Sequence, residues 1–300
     1  MAITANCSSF LFFSKLHGAS FEKTLTLGRL NLYASKENIL ADIRKFKNEV
    51  VDVEKFKFPA EYSEPIFQIL GASEIDSMDY SDYENATIIH DLNSPIPENL
   101  KNKFTAVVDG GTIEHIFNFP MAIRNCMEML KTGGSYIGIT PANNIMGHGF
   151  YQFSPELYFN IFSEANGFKV VKMLIVTQHV DGTYSSWYEV ANPRQLKSRI
   201  TLTNSKPTFL MVFAQKIEEK LLFEKTPQQS DYEMVWDIKE SMKGNKAQEQ
   251  SGWLKHMYRK FTPRPLKVLA HNVYNLFTKQ EIIDEDLGQI NERHFKKIEI

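Results

Sequence analysis

From about residue 21 to 216 the hydrophobic pattern switches repeatedly between the period of a strand and the period of a helix. Thr24-Leu25-Thr26-Leu27 alternates into Gly28, which predicts a strand followed by a turn. Ser35 precedes an amphipathic run through Ile39, Ile43 and Phe46 and predicts a capped helix. Ser63 predicts a second, short helix that Gly71 closes. Apolar runs over residues 74–78, 86–90 and 104–108 predict three strands that end at Asp79, Asp91 and Asp109. Residues 119–130 read as a helix with Gly133-Gly134 beyond its end, and residues 135–140 as a strand that Pro141 stops. Ser154-Pro155-Glu156 places a cap, a first-turn proline and an acid at the positive end of a helix dipole. Residues 168–176 and 208–214 are the last two predicted strands. This alternation predicts a doubly wound α/β fold, with a mostly parallel sheet and helices on both faces.

Outside that region the pattern changes. Residues 1–20 read as an N-terminal segment, and residues 217–300 as a charged linker with a C-terminal helical extension. Between residues 253 and 277 apolar positions recur on a helical period, interspersed with Arg259, Lys260, Arg264 and Lys267. A basic amphipathic helix can lie on a membrane surface. Docking on its own domain or on a partner is the commoner use, and membrane contact is not expected.

Composition narrows the class. Three hundred residues suffice for one large α/β domain and an appendage, and 43% hydrophobic with 23% charged residues is ordinary for a globular protein. A net charge of -2 gives no electrostatic case for duplex nucleic acid. Cys7 and Cys126 lack metal-type spacing and fit a reducing, cytoplasmic setting. No apolar run reaches membrane-span length. Phe10-Leu11-Phe12-Phe13 is too short, and without preceding positive charge, to read as a signal peptide.

The chemistry concentrates in Asp109-Gly110-Gly111-Thr112-Ile113-Glu114-His115. Two acids and an imidazole at the carboxyl end of a strand sit where open α/β sheets bind ligands. Glycines there let the backbone turn and approach a ligand closely. An active-site rim and a solvated turn both account for this segment.

Four segments in order resemble a class I S-adenosylmethionine-dependent methyltransferase: residues 75–81 around Asp79, His90-Asp91-Leu92-Asn93-Ser94-Pro95, residues 104–115, and Leu130-Lys131-Thr132-Gly133-Gly134. The resemblance covers roughly residues 21–216 and implies a seven-stranded Rossmann-like sheet. It implies that Asp79 holds the cofactor's ribose, that Asp91 and Leu92 lie at the adenine, and that Asp109 and Gly110 lie at the methyl-transfer centre. The family's glycine-rich first loop is reduced here to Gly28. Arg29 is placed to meet the cofactor's carboxylate as a charged fork instead.

A narrower resemblance is to sugar-hydroxyl methyltransferases, including the small-RNA 3′-terminal 2′-O-methyltransferases, in which Glu-His binds a divalent metal and a later His joins it. Glu114-His115 and His148 match that pattern, while Gly111 stands where a further Glu is usual. The missing carboxylate disfavours a metal. His115 is then expected to be a metal-free base, with Glu114, Asp109 and His148 around it. The implied activity is O-methyl transfer to a small polar acceptor, a sugar or glycan hydroxyl. A scaffold that has lost its cofactor, or a nucleotide-sugar-modifying enzyme on a related fold, are the other readings. Tyr151, Phe153 and Tyr158 are either acceptor-stacking groups or core.

Overall fold

The computed structural model describes residues 2–46, 53–180, 182–196, 198–233 and 281–298. Its strands are β1 Ala2–Ile3, β2 Lys23–Leu27, β3 Asn31–Leu32, β4 Glu74–Asp79, β5 Ile88–Ile89, β6 Phe104–Asp109, β7 Leu130–Asn143, β8 Phe168–Thr177, β9 Tyr188–Val190, β10 Leu202–Thr203, β11 Thr208–Lys216, β12 Glu281–Asp284, β13 Gly288–Asn291 and β14 Phe295–Lys297. Its α-helices are α1 Ala5–Leu16, α2 Lys36–Lys45, α3 Glu64–Ile69, α4 Phe119–Met129, α5 Pro155–Ile161 and α6 Pro193–Leu196.

The main sheet has nine strands in the order β14-β9-β8-β11-β7-β6-β2-β4-β5. From β5 to β7 every pair is parallel, whereas β11 runs antiparallel to both β7 and β8. The chain starts near the centre at β2, winds outward through β4 to β5, then crosses back to β6 on the other side. The carboxyl ends of β2 and β6 therefore form the topological switch point, where connections diverge and leave a crevice.

Strand side chains alternate between two cores. Leu25, Leu27 and Val107 join Ile123, Tyr158 and Phe162 from α4, α5 and the end of α5 on one face. Ala106, Val108 and Ile137 join Phe10, Ile39 and Phe67 from α1, α2 and α3 on the other. Helices thus cover both faces. The predicted cap at Ser35 is present as a capping box, in which Ser35 and Asn38 each accept from the other's backbone. Ser154 caps α5 by accepting from Leu157 N. The first twenty residues are tied into this domain: α1 buries Phe10, Leu11 and Phe12, and Ser8 and Ser9 each donate to Asp42 at 2.6 Å.

Two strands differ from expectation. β7 spans fourteen residues because α4 passes directly into it at Leu130, so Gly133-Gly134 lies inside the strand. A Cβ at Gly134 would stand 2.8 Å from Lys131 O and 2.9 Å from Phe104 O. Pro141 continues the strand, opposite a register shift at Thr208/Phe209 in β11, where a residue lacking N–H is tolerated. The strand expected over residues 86–90 shrinks to Ile88–Ile89.

In the described part of the C-terminal extension, residues 217–229 are loop, residues 230–233 are helical and residues 281–297 carry three short strands. β14 pairs with β9 at the sheet edge, and Tyr188 donates to Asp284 at 2.9 Å and Asp286 at 3.1 Å, tying the β12–β13 hairpin to the domain. The amphipathic stretch 253–277 lies outside the described residues. Among the described residues no helix is long and apolar enough to cross a membrane.

Candidate active site

The site is built at the switch point, where Leu27 and Asp109 are register partners at the ends of β2 and β6. Asp109 is 1% exposed. Its Oδ1 accepts from Thr112 N at 2.8 Å and Ile113 N at 3.4 Å, and its Oδ2 accepts from the Tyr136 hydroxyl at 2.9 Å. Tyr136 reaches it because Gly138, the register partner of Asp109 on β7, has no side chain; a Cβ there would lie 2.6 Å from the Tyr136 hydroxyl. Thr112 Oγ1 donates back to Leu27 O at 2.6 Å and closes the two strand ends together. Burial pushes the Asp109 carboxyl above its usual range. Asp109 was expected to face the transfer centre. Its Oδ1 holds the turn and its Oδ2 is held by Tyr136.

That turn delivers Glu114 and His115 on a 3-10 turn, Ile113–His115. Glu114 is 1% exposed, and its Oε2 has no hydrogen-bond partner. Burial first, and the Asp109 charge second, push its pKa up to about 8. The loop after β7 brings the third group. Phe150 N donates to Glu114 O at 2.8 Å, and Gly149, at φ +74°, passes so close that a Cβ would meet the same oxygen at 2.8 Å. His148 Nε2 then stands 3.3 Å from Glu114 Oε1. The His115 and His148 rings meet at 4.9 Å and 69°. One ligand atom from each of Glu114, His115 and His148 lies within 4.8 Å of the other two. Burial, with His148 beside it, lowers the His115 pKa, so that ring is neutral near pH 7.

Across the switch point, Gly28 is buried with φ +73°, and its N donates to Met78 O at 2.7 Å. Asp79 is half-buried at the end of β4; it accepts from Tyr80 N at 2.7 Å and Ser81 N at 3.5 Å, both on Oδ1. Asp91 accepts from Asn93 N and Nδ2, which hold its carboxyl below the usual range, and Leu92 is buried beside it. Gly110 is packed by Leu30: a Cβ would meet Leu30 Cδ1 at 2.9 Å.

Arg29 departs from expectation. Its Nε donates to Glu64 at 2.7 Å, its NH1 to Glu84 O at 3.1 Å, and its guanidinium lies 4.0 Å from the Tyr62 ring centroid. Its charge is matched within the protein rather than presented for a ligand carboxylate. Phe153 and Tyr158 are core, at 3% and 0% exposed. The residues missed from sequence are Tyr136, Leu30 and Glu64. The Tyr-x-Gly spacing of 136 and 138 in an apolar strand was the one available signal, since it lets an aromatic ring lie along the strand.

The run β5-β4-β2-β6-β7-β11-β8, with β11 alone reversed within it, decides the architecture. The chain has the class I methyltransferase fold. The expected seven strands are all present, and β9 and β14 extend this methyltransferase-type sheet at one edge. No family model matches the sequence, and no curated protein matches it. Similar solved structures include a candidate methyltransferase from Bacillus halodurans, at 11% identity over 69% of this chain and 99% of that one, with a TM-score of 0.37. The MccD protein is similar at 14% identity over 69% of this chain and 96% of that one, with a TM-score of 0.39. A branched-chain polyamine synthase from Thermus thermophilus, in complex with 5′-methylthioadenosine, is similar at 10% identity over 75% and 59%, with a TM-score of 0.36.

Proposed function

We propose that the protein is an S-adenosylmethionine-dependent O-methyltransferase acting on a small polar acceptor, a sugar or glycan hydroxyl. The observation that carries this reading is the meeting of Glu114, His148 and His115 beside the switch point. A buried carboxyl with an unpartnered oxygen is costly, and here it is spent next to two imidazoles at the ligand-binding edge of the sheet.

The residues on the nucleoside side fit the cofactor. Both backbone donors to Asp79 fall on Oδ1, so Oδ2 is the oxygen that would take ribose hydroxyls. The turn at Asp91 and Leu92 would border the adenine. The amino-acid end is remodelled, with Gly28 the remaining loop glycine and Leu30 on Gly110; this feature favours the scaffold alternative. When bound, S-adenosylmethionine supplies an electrophilic methyl group on a sulfonium centre. The protein's part is to position an acceptor hydroxyl and remove its proton. His148 is the group placed for that, with Glu114 3.3 Å away as the counter-charge for the imidazolium once the acid ionises toward pH 8. His115, neutral and edge-on to His148, would contact the acceptor oxygen.

The same three residues fit a divalent cation, and the orphaned Glu114 Oε2 favours this second reading. Two imidazoles and one carboxylate would hold the ion with positions left open, and it would polarise a sugar hydroxyl.

The test is incubation with S-adenosylmethionine carrying a labelled methyl group and a panel of pyranosides and nucleotide sugars. The proposal expects label in an ether linkage on a sugar oxygen. Label fixed on nitrogen or carbon would set O-transfer aside.

A further inference from the structure

Phe117 and Phe150 are large apolar side chains left in the open at 74% and 67% exposed. They stand two residues beyond His115 and His148 respectively, so the backbone keeps each ring's Cα within about 7 Å of the neighbouring histidine's. Their centroids are 5.9 Å apart and their planes meet at 82°. Both are held by backbone contacts: Phe117 O accepts from the Tyr151 hydroxyl at 2.6 Å, and Phe150 N donates to Glu114 O at 2.8 Å. The apolar corner is therefore fixed relative to the proton-handling group, through the same carbonyl that positions His148.

We propose that Phe117 and Phe150 are the specificity-determining residues of the acceptor site, forming a stacking corner for one pyranose ring. The proposal rests on the reading of this site as a sugar methyltransferase and names the surface that reads the sugar. Two rings near 82° present one face and one edge rather than a slot between parallel faces. A planar aromatic acceptor would stack on one ring and meet the other edge-to-face, leaving no hydroxyls on its faces for the imidazoles. A puckered pyranose carries C–H groups on its face and its rim and meets both walls, and ring faces attract such polarised hydrogens. Its hydroxyls would point away from the rings, toward His148 and His115. An aromatic wall beside a polar cluster suits a ligand that is apolar on one side and hydroxylated on the other.

Saturation-transfer NMR on the full chain, with methyl glycosides of glucose, galactose, mannose, rhamnose and fucose as probes, tests this without knowing the natural acceptor. At least one pyranoside should receive saturation, strongest on the C–H protons of one ring face. The signal should fall about tenfold in the Phe117→Ala/Phe150→Ala double variant and persist in Phe150→Trp. Equal signals in wild type and double variant would overturn the proposal. So would transfer to a planar phenol probe with none to any pyranoside. Calorimetry with S-adenosylhomocysteine on the same samples separates the two ideas: lost cofactor binding refutes the methyltransferase reading, while the NMR result alone judges the stacking corner.

Discussion

His148 Nε2 stands 3.3 Å from Glu114 Oε1, although the two residues come from different loops, and the carboxylate is buried while the imidazole is half in solvent. The contact makes His148 rather than His115 the imidazole partnered by the Glu114 carboxyl. His148→Ala should slow methyl transfer by about 10²-fold and leave cofactor affinity unchanged. His115→Ala should act more weakly. Turnover and calorimetry on both variants check the order; equal or reversed effects would return the base role to His115.

Glu114 also sets a pH dependence. Its pKa rises on folding from the ordinary 4.5 to about 8. Between those values the folded state keeps a proton that the unfolded chain releases, so stability should fall as pH rises through that window. Below about pH 4.5 both states are protonated and the effect vanishes; above about pH 8 the loss is complete. Thermal melting across that range should show the decline in wild type and a flatter profile in Glu114→Gln. A wild-type midpoint that climbs through the window would contradict the burial account.

If the cluster holds a divalent ion, binding supplies the missing counter-charge. Adding Mn²⁺ to metal-stripped protein should then raise the melting temperature, most strongly above neutral pH, and Glu114→Gln should abolish the rise. Full activity after exhaustive chelation, with no metal by elemental analysis, would leave His148 as a metal-free base.

The Tyr136–Asp109 bond gives a separate check on the turn. Tyr136→Phe removes a hydroxyl donor from a buried carboxylate and should cost about 1–3 kcal/mol of stability. Denaturant unfolding measures it. No change would mean that the carboxyl is satisfied by Thr112 and Ile113 alone.

Much of this was legible in the sequence where local chemistry decides the outcome. Ser35 and Ser154 cap the helices expected of them, and Asp79 and Asp109 end the expected strands. The convergence of Glu114, His115 and His148 came from motif resemblance, because residues thirty-odd positions apart meet only through the Gly149 crossing. What could not be read was set by partners distant in sequence. Arg29 reads as free in the sequence because Glu64 and Tyr62, which close on it, lie more than thirty residues away, and nothing near Asp109 announces Tyr136 as the donor to its second oxygen. Pro141 looked like a strand stop because the compensating bulge lies on β11, nearly seventy residues later.

Calorimetric titration of S-adenosylmethionine into the full chain tests the central claim most directly. The account predicts one-to-one binding to wild type, weakened by about 1–3 kcal/mol in Asp79→Ala, the range for losing a charge-assisted hydrogen bond, with an unchanged melting temperature. Absence of binding to folded wild-type protein, or equal affinity in Asp79→Ala, would contradict it.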